Sequence, residues 1–382
     1  MTATDTMGSR RKRALFRALA ICVSLGAALL GAELFLRWRQ HTIAGSEHLD
    51  AGFIRYDPVL GWRLTPAWTG RHQHYDFDVH YTIKTDGFRF DPAQPKDRRG
   101  RLIAVVGDSF TFGLGVEDDQ TFVSLLNRDG TNTFVNLSVP GFSTDQQALL
   151  IEETLPSLRP DEVWLVVYVG NDLLDNQYSR PLQLNMAKPL FELGPDGPVL
   201  RNVPVPRSGQ PLRPPPADLA AAVLGDAPQR SSRWERVLDR FALGRLLRDT
   251  LVSPEDRSAE FPERFRPAMH LFAALLDRIR QHSGKARAEL KILVLAGRSF
   301  VEEPGSLSSQ YQQFGATEVL AAGRKLSLPS WDLASMLRHE QQTSPRRLYF
   351  RHDGHLTFEG HSIVKEWLLE RPGASPAEPL RR

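Results

Sequence analysis

From about residue 100, short runs rich in apolar residues alternate with segments of helical spacing, and this alternation limits the fold more than any other feature. The predicted strands are Leu102–Val106, Thr133–Leu137, the continuously apolar Val163–Val169, and Leu290–Leu295, with Lys325–Leu328 as a candidate fifth. The helical segments include one that the capping-box pattern Ser143–Gln146 opens, one around Leu271–Ile279, and a last one over Phe358–Leu369 with Thr357 as N-cap. Fully apolar strands are typical of a parallel sheet covered by helices on both faces. The pattern therefore predicts an α/β domain.

The N-terminus has the pattern of a membrane-spanning helix. A basic cluster, Arg10–Arg13, precedes an apolar run over Ala18–Leu36, and Arg37-Trp38-Arg39 follows that run. A helix of this length, at about 1.5 Å per residue, nearly matches the hydrocarbon thickness of a bilayer, and its basic end is expected in the cytoplasm. We predict a cytoplasmic tail over 1–17 and an anchor over 18–38 in the cytoplasmic (inner) membrane, with the remainder periplasmic. A cleavable signal peptide is the alternative.

The basic excess of the chain belongs to its N-terminal segment. Residues 1–40 carry seven Lys or Arg and two acidic residues, whereas the rest of the chain carries 41 basic and 43 acidic side chains. A nearly neutral body lacks the broad basic face of nucleic-acid-binding proteins, so no nucleic-acid partner is expected. Cys22 is the single cysteine, which excludes an intramolecular disulfide and a cysteine-rich zinc site.

The lead-in over 39–98 departs from the strand–helix alternation. It is rich in aromatic residues and turn formers, and a period-2 apolar pattern predicts a half-exposed strand at Phe77, Val79, Tyr81 and Ile83. We therefore expect an extended or β-rich segment. Its histidines are interpreted as part of one exposed strand rather than a metal site, because no carboxylate frame accompanies His72, His74 and His80.

The α/β domain has a predicted insertion and is followed by a predicted tail. The α/β domain is predicted over 99–372, with an insertion over 176–260 that should be mostly irregular because it contains many prolines. The stretch 219–251 within it has scattered apolar residues, without the pattern of a clear lid helix. Residues 373–382 are predicted to form a flexible tail.

Polar clusters follow the predicted strands, where reactive groups gather in an open parallel sheet. They are Gly107-Asp108-Ser109, Pro140-Gly141 and Gly170-Asn171-Asp172, and Asp353-Gly354-His355 precedes the last helix. Acyl chemistry without a cofactor needs a hydroxyl nucleophile, a base, a carboxylate that orients the base, and N–H donors for the oxyanion. All of these groups are present.

These blocks resemble those of the SGNH hydrolases, also called the GDSL family. Gly107-Asp108-Ser109-Phe110 is similar to the family's first block, Gly141 to the glycine of the second, and Gly170-Asn171-Asp172 to the third. The resemblance covers most of residues 50–372, and the lead-in motifs resemble a membrane-anchored bacterial subgroup at Tyr56-Asp57-Pro58, Gly61-Trp62 and Thr85–Arg89. It implies a three-layer α/β/α, flavodoxin-like fold.

The resemblance also implies a role for each matching residue. Ser109 is the expected nucleophile, His355 the general base and Asp353 the acid that orients it. The expected oxyanion hole consists of the Ser109 and Gly141 backbone N–H groups and the Asn171 side-chain amide. Asp108 and Asp172 are expected to stabilise loops, and no cofactor or metal is expected.

The spacing of the acid and the base departs from many family members, which place the acid three residues before the histidine. Here the order is Asp-x-His, as in a branch resembling polysaccharide O-acetyltransferases, so both hydrolysis and acyl transfer stay open. His352 is a rival base and Asp332 a rival acid, whereas His361 is interpreted as structural.

The resemblance and the predicted location together imply a membrane-anchored esterase that removes a small acyl group, with acetyl preferred, from a carbohydrate or another acylated small molecule outside the cytoplasm. A polysaccharide O-acetyltransferase is the first alternative, and it would need a membrane partner to deliver the acyl donor. The second alternative is a non-catalytic scaffold or sugar-binding protein on the same fold.

Overall fold

The computed structural model describes residues 4–207, 241–244, 246 and 256–370. The chain forms two compact units, one of Met1–Ser46 with Pro228–Ser253 and one of Glu47–Ala227 with Pro254–Arg382. The tail expected over 373–382 and most of the stretch 219–251 lie outside the described residues. Each unit is described by itself.

The first unit contains one long helix, α1, at Thr4–Ala44. Its stretch Lys12–Ile43 is long and apolar enough to cross a membrane, a test that a signal sequence also passes. Within this helix, the Glu33 carboxylate accepts the backbone N–H groups of Ala242 and Leu243 at 3.0 and 2.9 Å. The acid of this apolar helix therefore has hydrogen-bond partners within its own unit.

The part of the lead-in that belongs to the second unit is β-rich, whereas residues 39–44 form the end of α1. Its strands are β1 His48–Leu49, β2 Ile54–Asp57, β3 Gly61–Leu64, β4 Thr69–Gln73 and β5 Asp78–Thr82. Strands β1, β4 and β5 form one antiparallel sheet, and β2 pairs with β3. The alternation of β5 places Val79 and Tyr81 in the core.

The interpretation of the three histidines as one exposed strand was wrong for His72. His72 lies on the inward face of β4, is buried, and has its Nδ1 atom 2.9 Å from the Tyr81 hydroxyl. His80 is exposed on β5, and His74 lies in the turn between the two strands. Among the described residues, no three His, Cys, Asp or Glu side chains form a group that could hold a metal ion.

A five-stranded parallel sheet forms the centre of the second unit. Its strands are β6 Leu102–Val106, β7 Thr133–Asn136, β8 Glu162–Tyr168, β11 Glu289–Leu295 and β12 Ser330–Asp332. They lie in the order β12-β11-β8-β6-β7, and every neighbouring pair is parallel. Numbered by their sequence within the sheet, the strands have the 2-1-3-4-5 order of flavodoxin-like folds. The predicted α/β fold with a central parallel sheet is confirmed.

Helices cover this sheet in two groups. Among the described residues of the second unit, the α-helices are α2 Ser109–Phe112, α3 Phe122–Asp129, α4 Thr144–Leu158, α5 Asp172–Asp175, α6 Phe261–Arg264, α7 Arg266–Lys285, α8 Arg298–Glu302, α9 Leu307–Lys325, α10 Leu333–Thr343 and α11 Phe358–Leu369. Helix α7 packs against α4 and α9, whereas α11 packs against α3 and α10. The predicted capping box at Ser143 and the N-cap at Thr357 are both present.

One local prediction was wrong. Lys325–Leu328 is not a strand: α9 ends at Lys325, Ser327 has a φ of +55°, and the fifth strand begins only after Pro329.

The described part of the proline-rich insertion contains a hairpin. Strands β9 Leu190–Gly194 and β10 Gly197–Arg201 pair in antiparallel fashion. In this hairpin Pro195 lies in the turn, where its missing N–H has no cost.

Candidate functional site

The chain turns sharply between β6 and α2, and this turn exposes Ser109 at the carboxyl edge of the sheet. A Cβ atom at Gly107 would lie 2.3 Å from the Thr111 hydroxyl oxygen, so the close turn requires glycine. The Asp108 carboxylate accepts the Phe110 N–H at 2.9 Å and caps α2. Ser109 is thus the first residue of a short helix, directly after a buried strand.

The structure brings Ser109, His355 and Asp353 together, although His355 lies 246 residues after Ser109. The Ser109 Oγ atom is 2.8 Å from His355 Nε2, and His355 Nδ1 is 2.7 Å from Asp353 Oδ1. Because the carboxylate can only accept, Nδ1 carries the proton and Nε2 is left to accept from the serine hydroxyl. This is the arrangement in which a histidine can take the proton of a serine nucleophile.

The residues expected in the oxyanion hole follow adjacent strands. Ser109 follows β6, Gly141 follows β7 and Asn171 follows β8, and β6 lies between the other two strands. Gly141 has a φ of +79°, and a Cβ atom there would meet Leu184 Cδ1 at 2.3 Å, so only glycine fits. The Ser109 N–H lies in the first turn of α2, where helix N–H groups have no acceptor within the helix.

The two expected supporting aspartates both hold loops at this edge. Asp108 caps α2, and Asp172 Oδ2 accepts the Tyr168 N–H at 3.1 Å and the Gln147 side-chain amide at 3.3 Å. Both carboxylates are buried. Their hydrogen bonds fix the backbone on either side of Ser109 and Asn171.

Asp353 and His355 change each other's pKa. Burial opposes ionisation of Asp353, but the charge of His355 and its hydrogen bonds outweigh this, and the pKa of Asp353 lies below its usual value. Burial likewise opposes protonation of His355, but the Asp353 carboxylate outweighs it and raises the pKa of His355 above 6.5. The pair therefore favours a histidine that can hold a proton during the reaction.

Three buried aspartates surround this pair at the same edge. Burial raises the pKa of Asp108 to about 6 and that of Asp175 to about 7, and it raises the pKa of Asp172 well above its usual value. The charge of Asp108 adds to the effect at Asp172. Such perturbed carboxyl groups in one place are typical of functional sites.

The rival acid and base are occupied elsewhere. The Asp332 carboxylate caps α10 by accepting from the Ser335 N–H at 2.9 Å and its hydroxyl at 2.6 Å. The His352 ring packs edge-on against Tyr75, with ring centroids 5.1 Å apart. His361 is buried, accepts the Phe122 N–H at its Nδ1 atom, and has a pKa lowered to about 3 by burial. The structural interpretation of His361 agrees with these contacts.

Asp76, in the turn between β4 and β5, holds the loop that carries Asp353, and the sequence pattern did not indicate it. Its Oδ2 atom accepts the backbone N–H groups of His352 at 2.6 Å and Asp353 at 3.0 Å. Phe77, the next residue, packs against Phe350 with ring centroids 5.2 Å apart. The only sequence signal was an acid between two aromatic residues, directly before the predicted strand that begins at Phe77.

Arg89 ties the lead-in to the segment after Ser109. Its side chain is buried and donates to the carbonyl oxygens of Phe112, Gly113 and Val116 at 2.6 to 2.7 Å. Asp118 accepts from its Nε atom at 2.9 Å. The motif Thr85–Arg89 was part of the family resemblance, and the structure gives its arginine a physical role.

Sequence comparison with protein-family models and with curated proteins finds no match. Comparison with solved structures finds TesA at a TM-score of 0.37 and 12% identity, over 71% of this chain and 99% of that chain. A catalytic mutant of Axe2, an acetylxylan esterase from Geobacillus stearothermophilus, has a TM-score of 0.40 and 12% identity over 72% and 95% of the two chains. A protein described as lipolytic and of the G-D-S-L family, from Desulfitobacterium hafniense, has a TM-score of 0.38 and 10% identity over 71% and 99%.

Proposed function

We propose that this protein is a serine esterase that removes a small acyl group through an acyl-enzyme on Ser109. The observation that carries the proposal is the hydrogen-bonded chain from Ser109 Oγ through His355 to Asp353 at the carboxyl edge of the sheet. The same edge presents the Gly141 backbone and the Asn171 side chain, which are the donors that ester hydrolysis requires.

In the proposed mechanism, His355 Nε2 takes the hydroxyl proton of Ser109 while Oγ attacks the acyl carbon. The carbonyl oxygen becomes an oxyanion, which the N–H groups of Ser109 and Gly141 and the Asn171 amide stabilise. The C–O bond to the alcohol then breaks, and His355 returns its proton to the leaving oxygen. Water attacks the acyl-enzyme with His355 again taking the proton, and the carboxylic acid leaves as Ser109 is regenerated.

A small acyl group is supported by the packing at Gly141. Leu184 lies directly against the glycine backbone, and Trp62 packs beside it with its indole N–H donating to the Pro140 carbonyl oxygen at 3.0 Å. Side chains this close to the expected oxyanion donor restrict the space for a long acyl chain. We therefore propose an acetyl ester as substrate, carried by a carbohydrate or another small molecule.

Acyl transfer to a polysaccharide is the second candidate, and the Asp-x-His spacing favours it. The same acyl-enzyme serves both reactions, because the acceptor is either water or a sugar hydroxyl. A transferase would need an acyl donor from a membrane partner. Release of free acetate in the absence of any sugar would favour hydrolysis.

We place the site on the outer side of the cytoplasmic membrane, in the periplasm, with α1 as the anchor. The basic residues before the apolar stretch support this direction. Fractionation of cells that express the full chain tests this placement, because an anchored enzyme should sediment with the membranes, whereas a cleaved one should stay in the soluble fraction.

The test is hydrolysis of p-nitrophenyl acetate, butyrate and octanoate by the full-length chain in detergent, beside Ser109→Ala. We expect turnover that falls with acyl length, and a loss of at least about 10³-fold in Ser109→Ala, since the nucleophile has no substitute. Ser138→Ala is the matched control, because Ser138 is buried near the same edge and its hydroxyl has no partner among the described residues.

Equal rates in wild type and folded Ser109→Ala would overturn the assigned nucleophile and favour a non-catalytic, sugar-binding protein. A rate that rises with acyl length would overturn the small-acyl proposal while keeping the serine mechanism. Loss of activity in Ser138→Ala would show that the edge of the sheet tolerates no change, and it would remove the support that Ser109→Ala gives.

A further inference from the structure

The side-chain amide of Asn171 is held by a second buried residue, Asp175. Asn171 Nδ2 donates to Asp175 Oδ2 at 2.9 Å, and the two residues begin and end the first turn of α5 on one face. Both are buried, Asp175 completely. An amide nitrogen carries two hydrogens, so Asp175 uses one and leaves the other for an oxygen at the sheet edge.

The other oxygen of Asp175 holds the loop that carries Leu184. Asp175 Oδ1 accepts the Leu182 N–H at 2.8 Å. Two residues further along, Leu184 lies against Gly141, the second expected donor. One carboxylate therefore fixes the Asn171 amide and the segment that packs on Gly141.

Asp175 also determines which way the Asn171 amide faces. The ionised form of Asp175 only accepts hydrogen bonds, so in that form the nitrogen of Asn171 points toward it, whereas Asn171 Oδ1 has no partner among the described residues. The titratable or charged groups that face Asp175 are Asp145 on α4, Asp172 on α5, Lys188 on the following loop and Tyr311 on α9. Lys188 is the cation among them, and it also pairs with Asp145.

We propose that Asp175 is a positioning residue for the reaction, acting through Asn171 by orienting its amide N–H toward the oxyanion. This inference rests on the proposed esterase function. Nothing in the role requires Asp175 to touch the substrate, because its effect is transmitted by a single hydrogen bond to Asn171.

Asp175→Asn tests the orientation directly. The new amide keeps the size of the side chain, but it has only one acceptor oxygen. Two donors, Asn171 Nδ2 and the Leu182 N–H, face it, so one of them would meet the N–H group of the new amide. The least costly relief is a flip of the Asn171 amide, whose unpartnered oxygen can accept from the new N–H group. The flip removes a donor that acts in the transition state, so kcat should fall while KM changes little. The expected fall in kcat lies between about tenfold and the cost of losing one oxyanion donor, about 10²–10³-fold.

A double-mutant cycle separates positioning from general structure. Asn171→Ala should itself lower kcat, and adding Asp175→Asn to it should lower kcat by less than about twofold, since the residue has nothing left to orient. Glu162→Gln is the matched control, because it also replaces a buried carboxylate by an amide but does so far from Asn171. Glu162 is a buried, hydrogen-bonded carboxylate at the other end of β8, roughly 20 Å from Asn171 by strand rise, and its loss should leave kcat unchanged.

A kcat of folded Asp175→Asn within twofold of wild type would overturn the proposal. It would also be overturned if Asp175→Asn lowered kcat equally in wild type and in Asn171→Ala. If Asp175→Asn does not fold, Asp175→Ala replaces it, because it introduces no new donor. Failure of both to fold would assign Asp175 to the fold alone and also overturn the proposal. The proposed function is judged separately, by wild type against Ser109→Ala, so it can stand when this inference fails.

Discussion

Buried acidic groups occur at both ends of the central sheet, but they have different partners. At the amino end, Glu162 is paired with Arg101 at 2.6 Å and with Lys291 at 2.9 Å. Asp161 beside it accepts the Leu102 N–H and is paired with Arg98, and these contacts lower its pKa. The amino end therefore compensates its negative charges with cations.

The carboxyl end holds its aspartates mainly with neutral donors. Asp108 and Asp172 accept backbone N–H groups, and Asp175 accepts an amide and a backbone N–H. Burial raises the pKa of each. Because a protein gains little stability from such groups, their concentration at one end supports the proposed active site there.

The largest expected effect at the carboxyl end comes from Asp353, which is paired with His355. Asp353→Asn should lower kcat by about 10³–10⁴-fold, since the amide no longer fixes the His355 tautomer. It should also move the pH profile. His355 acts as a base when neutral, so wild-type kcat/KM should rise with pH through a pKa above 6.5, and the rise should shift to lower pH without the Asp353 charge.

The measurement is kcat/KM of both proteins from pH 5 to 9. A low rate with an unmoved profile would mean that Asp353 contributes position but not charge. A rate near that of wild type would make Asp353 dispensable and reopen the choice of acid.

Asp76 should have the next largest effect, because it holds the loop of the acid and the base from outside the sheet. Asp76→Ala removes the acceptor for the His352 and Asp353 N–H groups, and we expect kcat to fall about 10–100-fold with little change in KM. Asp76→Asn keeps an acceptor oxygen and should recover most of the loss.

Asp78→Ala is the control for this pair, since Asp78 is an exposed carboxylate on the same hairpin, paired with Arg71. Its loss should change kcat by less than about twofold. Equal rates for Asp76→Ala and Asp78→Ala would mean that the lead-in does not position the site.

The sequence revealed features that depend on residues adjacent in the chain, and it did not reveal contacts between residues far apart in the chain. The strand β6 and the glycine turn to Ser109 were predictable, because each rests on residues adjacent in sequence. Asp76 acts on residues 276 positions away, so no local periodicity marks it. The strand at Ser330–Asp332 has only three residues, too few for a pattern, and the apolar residues before it misled the prediction.

Asp175 was missed for a different reason. It follows Asn171 by four residues, a spacing that pairs side chains on a helix, but that helix is only four residues long and the sequence pattern predicted no helix there. Its burial, which gives the carboxylate its effect on the amide, depends on the insertion folding back through Leu182. The contact between Asp175 and Asn171 therefore depends on tertiary packing, which the local sequence pattern does not show.

The smallest expected effect concerns stability and compares the two ends directly. Asp172 has a raised pKa in the folded state, so its favourable contribution is complete at pH values below its unfolded pKa and is lost as pH rises through the folded pKa. Asp172→Asn cannot ionise, and its free energy of unfolding relative to wild type should therefore increase as pH rises from 4 to 8.

Glu162→Gln should instead be destabilised by about 2 kcal/mol at neutral pH, because Lys291 and Arg101 lose a partner. Urea unfolding of the three proteins at several pH values measures both, and parallel pH curves for wild type and Asp172→Asn would mean that Asp172 is compensated like the acids of the amino end.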